Sequence, residues 1–197
     1  VSKVRIAAHF QQSLAALAEA ARDEALLGTT AAIADLLVAT LRGGGKVLLA
    51  GNGGSAGDAQ HIAAELVGRY KCERPGWPAI ALTTDTSALT AIANDYGFEA
   101  VFARQVEALG RPGDVLWAFS TSGTSPNVVR ALDVARARGL KTVGFTGTRG
   151  GALGAHCDHL FVSPSADTAV VQQIHLMTGH AICDAVEHAL AAQAPAP

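Results

Sequence analysis

A chain of 197 residues, 49% hydrophobic and 16% charged, is long enough for one domain with a sizeable core. Its formal charge of -2 provides no basic field, which argues against nucleic acid as a partner. Three cysteines, Cys72, Cys157 and Cys183, lack CxxC spacing, and neither a signal-peptide pattern nor a run of about 18 apolar residues occurs; a reduced, cytoplasmic protein with no membrane partner is expected.

The first 42 residues read as helix. Phe10, Leu14 and Leu17 follow an i, i+4, i+7 spacing, and Ile33, Leu36, Leu37 and Leu41 repeat it. Gly28 followed by Thr29 and Thr30 reads as a stop and a new N-cap. Beyond RGGGK, short apolar runs at 46–50, 79–83, 115–120, 142–146 and 159–162 alternate with helix-length segments. None of the runs shows the polar alternation of a one-sided sheet. Helices are predicted over 55–68, about 86–109, 126–138, a short stretch near 150–155, and 168–192. This order predicts an α/β fold, a doubly wound parallel sheet of five strands flanked by helices, with an N-terminal helical extension. The expected organisation is a helical segment at 1–42, a ligand-binding domain at 43–192, and a disordered tail at 193–197.

A strand, a Gly/Ser/Thr loop and a helix recur at GNGGSAG (51–57), STSGTSP (120–126) and TGTRGG (146–151). In doubly wound sheets such loops lie outside the carboxyl ends of the strands, around one crevice. Ser120, Thr121, Ser122 and Ser125 cluster where a strand gives way to a helix, and free backbone N–H groups and the helix dipole favour an anion there. A phosphate monoester is the natural guest. The plainer alternative is that Ser125 caps the helix, with Pro126 at its first position. The first loop also fits a dinucleotide fingerprint, Gly51-x-Gly53-x-x-Ala56, but the candidate ribose-binding acid, Asp85, comes about 30 residues on rather than about 20. No GK[ST] follows any of the glycines, so a P-loop is excluded. The anion is expected on a substrate, not on a nucleotide.

His61 and Glu65 stand four residues apart on a predicted helix, about 40° around its axis, so both can face the crevice. On the last helix, VVQQIHLMTGH offers Gln172, Gln173, His175 and His180. By angle Gln173 lies within about 20° of His180 and Gln172 about 80° away, so periodicity favours Gln173. Any one of these histidines, taken alone, reads as a surface or satisfied core residue.

Together GNGGSAGDAQHIAAEL, RPGWPAIALTTD, AIANDYGFEAVFARQVEALG, GDVLWAFSTSGTSPNV and QQIHLMTGHAICDAVE resemble the phosphoheptose isomerase family of the sugar isomerase (SIS) domain superfamily, over about residues 10–190. The resemblance implies interconversion of sedoheptulose 7-phosphate and glycero-manno-heptose 7-phosphate through an enediol, early in the supply of heptose for bacterial lipopolysaccharide or related glycans. It implies a homotetramer with N-terminal helices packed together and active sites between subunits. It places one zinc ion per subunit on His61, Glu65, Gln172 and His180, choosing Gln172 where angle favours Gln173. Glu65 becomes the base and His180 the acid that also assists ring opening. Ser120, Thr121, Ser122 and Ser125 take the phosphate, Asn52, Gly53, Gly54 and Ser55 line the sugar, and Asn94, Asp95 and Gln172 contact its hydroxyls, with Glu65 and Arg69 in reach. Where the family has a basic residue and then apolar-Gln-Glu, this chain has Val170-Val171-Gln172-Gln173. A second reading, also from the resemblance, is a non-catalytic tetramer that binds a replication initiator or senses a sugar phosphate.

Overall fold

A computed structural model describes residues 2–191, and the tail expected at 193–197 lies outside them. Helices α1 (Lys3–Ala20) and α2 (Glu24–Arg42) lead into β1 (Val47–Gly51), α3 (Gly54–Val67), β2 (Ala79–Ala81), α4 (Thr86–Tyr96) and α5 (Val101–Leu109). Then come β3 (Val115–Phe119), α6 (Pro126–Ala137), β4 (Lys141–Thr146), β5 (His159–Val162) and α7 (Thr168–Ala191), with 3-10 turns at Phe98–Ala100 and Gly151–His156. The strands form one parallel sheet in the order β2-β1-β3-β4-β5. The chain therefore steps outward from β1 to β2, then crosses back to build the other side from β3. That reversal lies between β1 and β3.

Both faces of the sheet are covered, which is why its strands lack polar alternation. Val47, Leu49, Trp117, Phe119, Val143 and Phe145 pack with α2, α3 and α7 on one side. Leu48, Ala50, Leu116 and Ala118 pack with α5 and α6 on the other. Helix α2 is apolar enough, at a mean hydropathy of 1.5, to match a membrane span by composition, but its Ile33, Ala34, Leu37 and Val38 belong to the first of these cores.

Two expected boundaries move. The break between the N-terminal helices falls at residues 21–23, where the Asp23 carboxylate accepts from the N–H groups of Ala25 and Leu26 and caps α2. Gly28 sits inside α2, and the hydroxyls of Thr29 and Thr30 donate to the carbonyls of Ala25 and Leu26 instead of capping. The helix predicted over 86–109 is broken at Gly97, whose φ of 83° ends α4 in a conformation that side chains with a Cβ resist.

His175 is fully buried on α7 among the rings of Phe119, Phe145 and Phe161, at centroid distances of 5.4–6.1 Å. Its Nε2 donates to the Thr146 carbonyl at 3.1 Å, and its Nδ1 has no partner. Burial holds its pKa down to about 4 against the opposing pull of that hydrogen bond. This histidine is a core residue, and it is kept neutral.

Two predictions follow from these placements. A Cβ at Gly28 would meet nothing within 4 Å, so Gly28→Ala raises stability by about 0.5–1 kcal/mol in thermal or urea unfolding. Because the folded pKa of His175 is depressed, its contribution is complete above the unfolded value of 6.5 and is lost as pH falls toward 4. Calorimetry should show His175→Leu flattening the fall of Tm across that window, by an amount on the order of 3 kcal/mol at its acid end; a variant curve parallel to wild type would contradict the assignment.

Candidate active site

The carboxyl ends of β1 and β3, at the reversal of strand order, are where a doubly wound sheet opens a crevice. There Asn52, Gly53, Gly54 and Ser55 face Phe119, Ser120, Thr121 and Ser125, with Thr168 and Gln172 closing the side, around a cavity of about 270 Å³. Three helices, α3, α6 and α7, begin at its rim. Aspartates cap α2, α4 and α7 through Asp23, Asp85 and Asp167, but α3 and α6 start at Gly53 and Ser125 with no side-chain cap. Pro126 has no N–H, and those of Ser55, Ala56 and Val128 bond to carbonyls of the turns they follow, which leaves the N–H groups of Gly54 and Asn127 without an acceptor among the described residues; the dipoles of both helices favour an anion there.

The hydroxyls follow the same logic. Ser125 does not cap α6; its Oγ lies 2.9 Å from Ser120 Oγ, at the cavity. Ser122 is exposed and accepts from the Thr124 N–H and hydroxyl, so it stands outside the cavity lining. Asp85, the acid a dinucleotide would have used, is committed to the Ala88 N–H.

Asn127 went unnoticed in the sequence and holds the floor of the crevice. Its buried amide exchanges two hydrogen bonds with Asn52, at 2.8 and 2.9 Å, joining the loop after β1 to the first turn of α6. A Cβ on Gly54 would come within 2.5 Å of the Gln172 amide, so a larger residue there must push that flexible side chain aside. Gln173 points elsewhere, with its Nε2 at 3.2 Å from His9 of α1.

Farther along α3 and α7 the second group assembles. His61 Nε2 is 2.9 Å from His180 Nε2 and 3.0 Å from Glu65 Oε1, and His180 Nε2 is 3.7 Å from the same oxygen. Among the described residues this is the one His/Cys/Asp/Glu group able to share a metal ion. The donor set fits a cation. Two imidazole nitrogens and a carboxylate converge from one side, and the 2.9 Å between nitrogens is slightly inside the roughly 3.3 Å expected for tetrahedral bonds of about 2.0 Å. Among the described residues no hydrogen bond joins Gln172 to these three. One turn before His61, Asp58 is buried and its Oδ2 has no partner; burial pushes its pKa up to about 6, with His61 pulling the other way.

Three residues expected at the sugar lie apart from the crevice of their own chain. Arg69 is exposed beside Glu73 at 3.6 Å, and Asn94 bonds to Asp95 on the solvent side of α4. A larger cavity of about 560 Å³ opens at the opposite end of the strands, but its Lys46 and Asp114 are paired with each other.

Comparison with known proteins agrees with this architecture. The SIS domain family matches residues 9–147. The chain is 63% identical over 185 residues to a phosphoheptose isomerase of Bradyrhizobium sp. (strain BTAi1 / ATCC BAA-1182), covering 94% of this chain and 93% of the relative. The chain belongs to the phosphoheptose isomerase family of SIS domains. Its fold superposes on phosphoheptose isomerase GmhA from Neisseria gonorrhoeae with a TM-score of 0.88 at 46% identity, covering 94% of this chain and 98% of that one. For a phosphoheptose isomerase from Francisella tularensis the TM-score is 0.91 at 38% identity, with 95% and 99% covered.

The close approach at Gly54 yields a direct test. Gly54→Ala displaces the Gln172 amide, the movable partner, and leaves the backbone in place, so the protein should melt within a few degrees of wild type while sugar-phosphate binding, measured by calorimetric titration, weakens about tenfold. Unchanged affinity would remove Gln172 from the binding cavity.

Proposed function

We propose that the protein interconverts sedoheptulose 7-phosphate and D-glycero-D-manno-heptose 7-phosphate, as an aldose–ketose isomerase. One spacing carries this reading. Helices α3 and α7 touch at Gly54 and Gln172 and again at His61 and His180, seven and eight residues on, so they run parallel. At 1.5 Å per residue the two contacts are roughly 10–12 Å apart. An extended seven-carbon sugar phosphate spans roughly 10 Å from phosphorus to C1 at ordinary bond lengths. A phosphate among the hydroxyls of Ser120, Thr121 and Ser125 then leaves C1 and C2 at Glu65 and His180.

The ketose has its carbonyl at C2 and two hydrogens on C1. Glu65 takes a proton from C1, and His180 supplies one to the C2 oxygen, giving a neutral enediol. The Glu65 carboxyl then returns its proton to C2 while His180 takes the proton of the C1 hydroxyl, leaving an aldehyde at C1. Each residue ends as it began. His61, Glu65 and His180 would hold one zinc ion per subunit, which when bound would supply a Lewis acid beside the carbonyl; Gln172, expected as a fourth ligand, instead lies against Gly54. The crevice loops orient the chain, and Asn52, Gly53, Gly54 and Ser55 keep the sugar between its two ends.

The reading extends to a cytoplasmic homotetramer with shared active sites, acting early in heptose supply for surface glycans. Val4, Ile6, Phe10 and Leu14 of α1 are exposed, with Phe10 at 67%, and such an apolar stripe calls for a partner. The segment 1–42 accordingly serves assembly, and 43–192 the chemistry. Asn94, Asp95 and Arg69, exposed on their own chain, would contact the sugar in a neighbour's crevice.

Conversion of sedoheptulose 7-phosphate by purified protein tests the proposal. Wild type should turn over, chelation should abolish or sharply reduce the rate, and Glu65→Gln should lower kcat by about 100-fold or more with fold and oligomeric state retained. A metal-loaded, folded wild type that converts no ketose phosphate would sink the isomerase reading and favour a sugar-phosphate-binding role.

A further inference from the structure

The segment after α3 is organised around one carboxylate. Glu187 of α7 accepts from the backbone N–H groups of Tyr70, Lys71 and Cys72 at 3.0, 2.6 and 2.8 Å, and from Arg74 Nε at 2.9 Å. Arg74 spends its other donors on the end of α3, on the carbonyls of Glu65, Leu66 and Gly68, and on Pro75. Its guanidinium lies 3.5 Å from the centre of the Trp77 ring. With side chains 4% and 2% exposed, this is the most buried ion pair among the described residues.

The pair connects the two residues that matter most to the reaction. Arg74 bonds the carbonyl of Glu65 itself, and Glu187 stands seven residues beyond His180 on nearly the same face of α7. Between them the held segment presents Tyr70, whose ring stacks on the His180 imidazole at 5.7 Å and 25°. His180 is thus gripped by Tyr70 on one side and by His61 and Glu65 on the other. A helix can be ended more cheaply by a glycine in a left-handed turn, but Gly68 has φ of −79° and does not form one. Burying an ion pair is a poor way to gain stability alone and a good way to fix one geometry.

We propose that Arg74 and Glu187 are positioning residues for Glu65 and His180, and that Tyr70 transmits their hold to the His180 ring. The proposal rests on the reading of Glu65 and His180 as the proton-transfer pair. Neither Arg74 nor Glu187 lines the phosphate cavity, so substrate affinity at that end is independent of them.

Deleting Arg74 would strand a buried carboxylate and endanger the fold, so the test uses Glu187→Gln, Arg74→Lys and Tyr70→Leu. Turnover of sedoheptulose 7-phosphate is measured together with the Cε1–H resonance of His180 in chelator-treated protein, assigned by its loss in His180→Asn. Expected are a kcat lowered about 10- to 100-fold with KM within about twofold, and a His180 resonance that loses the ring-current displacement of Tyr70 in all three variants. Lower Tm with kcat and resonance at wild-type values would overturn the proposal and reduce the pair to a stabilising one; so would a raised KM at constant kcat. Should wild type turn over no heptose phosphate while the resonance still moves in the variants, the positioning role stands and the functional reading fails.

Discussion

A carboxylate taken out of water must be met by donors on every side, and Glu187 meets that demand by recruiting the chain that follows α3. Burial alone would raise its pKa, but the N–H groups of Cys72, Lys71 and Tyr70 and the Arg74 guanidinium outweigh it and hold it down to about 2. The carboxylate therefore stays charged through ordinary pH, and those donors cannot be released one at a time without leaving it uncompensated. The segment 70–74 is fastened to α7, α3 is fastened to that segment, and the two helices keep one alignment. Everything from the Gly54–Gln172 contact to the His61–His180 contact inherits it.

The other end of the crevice works by a different means. Among the described residues no lysine or arginine lines the cavity of Ser120, Thr121 and Ser125. What would attract an anion there is the pair of helix dipoles of α3 and α6 with the N–H groups of Gly54 and Asn127, and the hydroxyls as additional donors. Such groups recognise phosphate by direction more than by charge, and the formal charge of -2 on the whole chain is no obstacle to them. The charged chemistry is kept two turns away, at His61, Glu65 and His180.

What the sequence disclosed was local. The five apolar runs became the five parallel strands, because a strand buried on both faces writes its burial directly into its residues. The hydroxyl loop and the His61/Glu65 pair were legible for the same reason, each lying within one or two turns of chain. Boundaries set by a competing cap were not: Gly28 with its threonines looked like a helix stop, but Asp23 offered a better acceptor five residues earlier. Angle favoured Gln173 over Gln172, but the directions of the two side chains are set by Gly54 and by His9, on different elements. Arg74 and Glu187, 113 residues apart, and Asn52 and Asn127, 75 apart, carried no local signal at all.

The Asn52–Asn127 exchange has one more implication. Its four groups are neutral, self-complementary and bonded to each other, so nothing in the exchange titrates with pH, and a charge entering the crevice acts on it only through dipoles. A charged latch at the same point would tighten or slacken with every substrate that entered and every product that left. An uncharged one responds far less to what is charged nearby, so the spacing of the two loops is set by the fold itself.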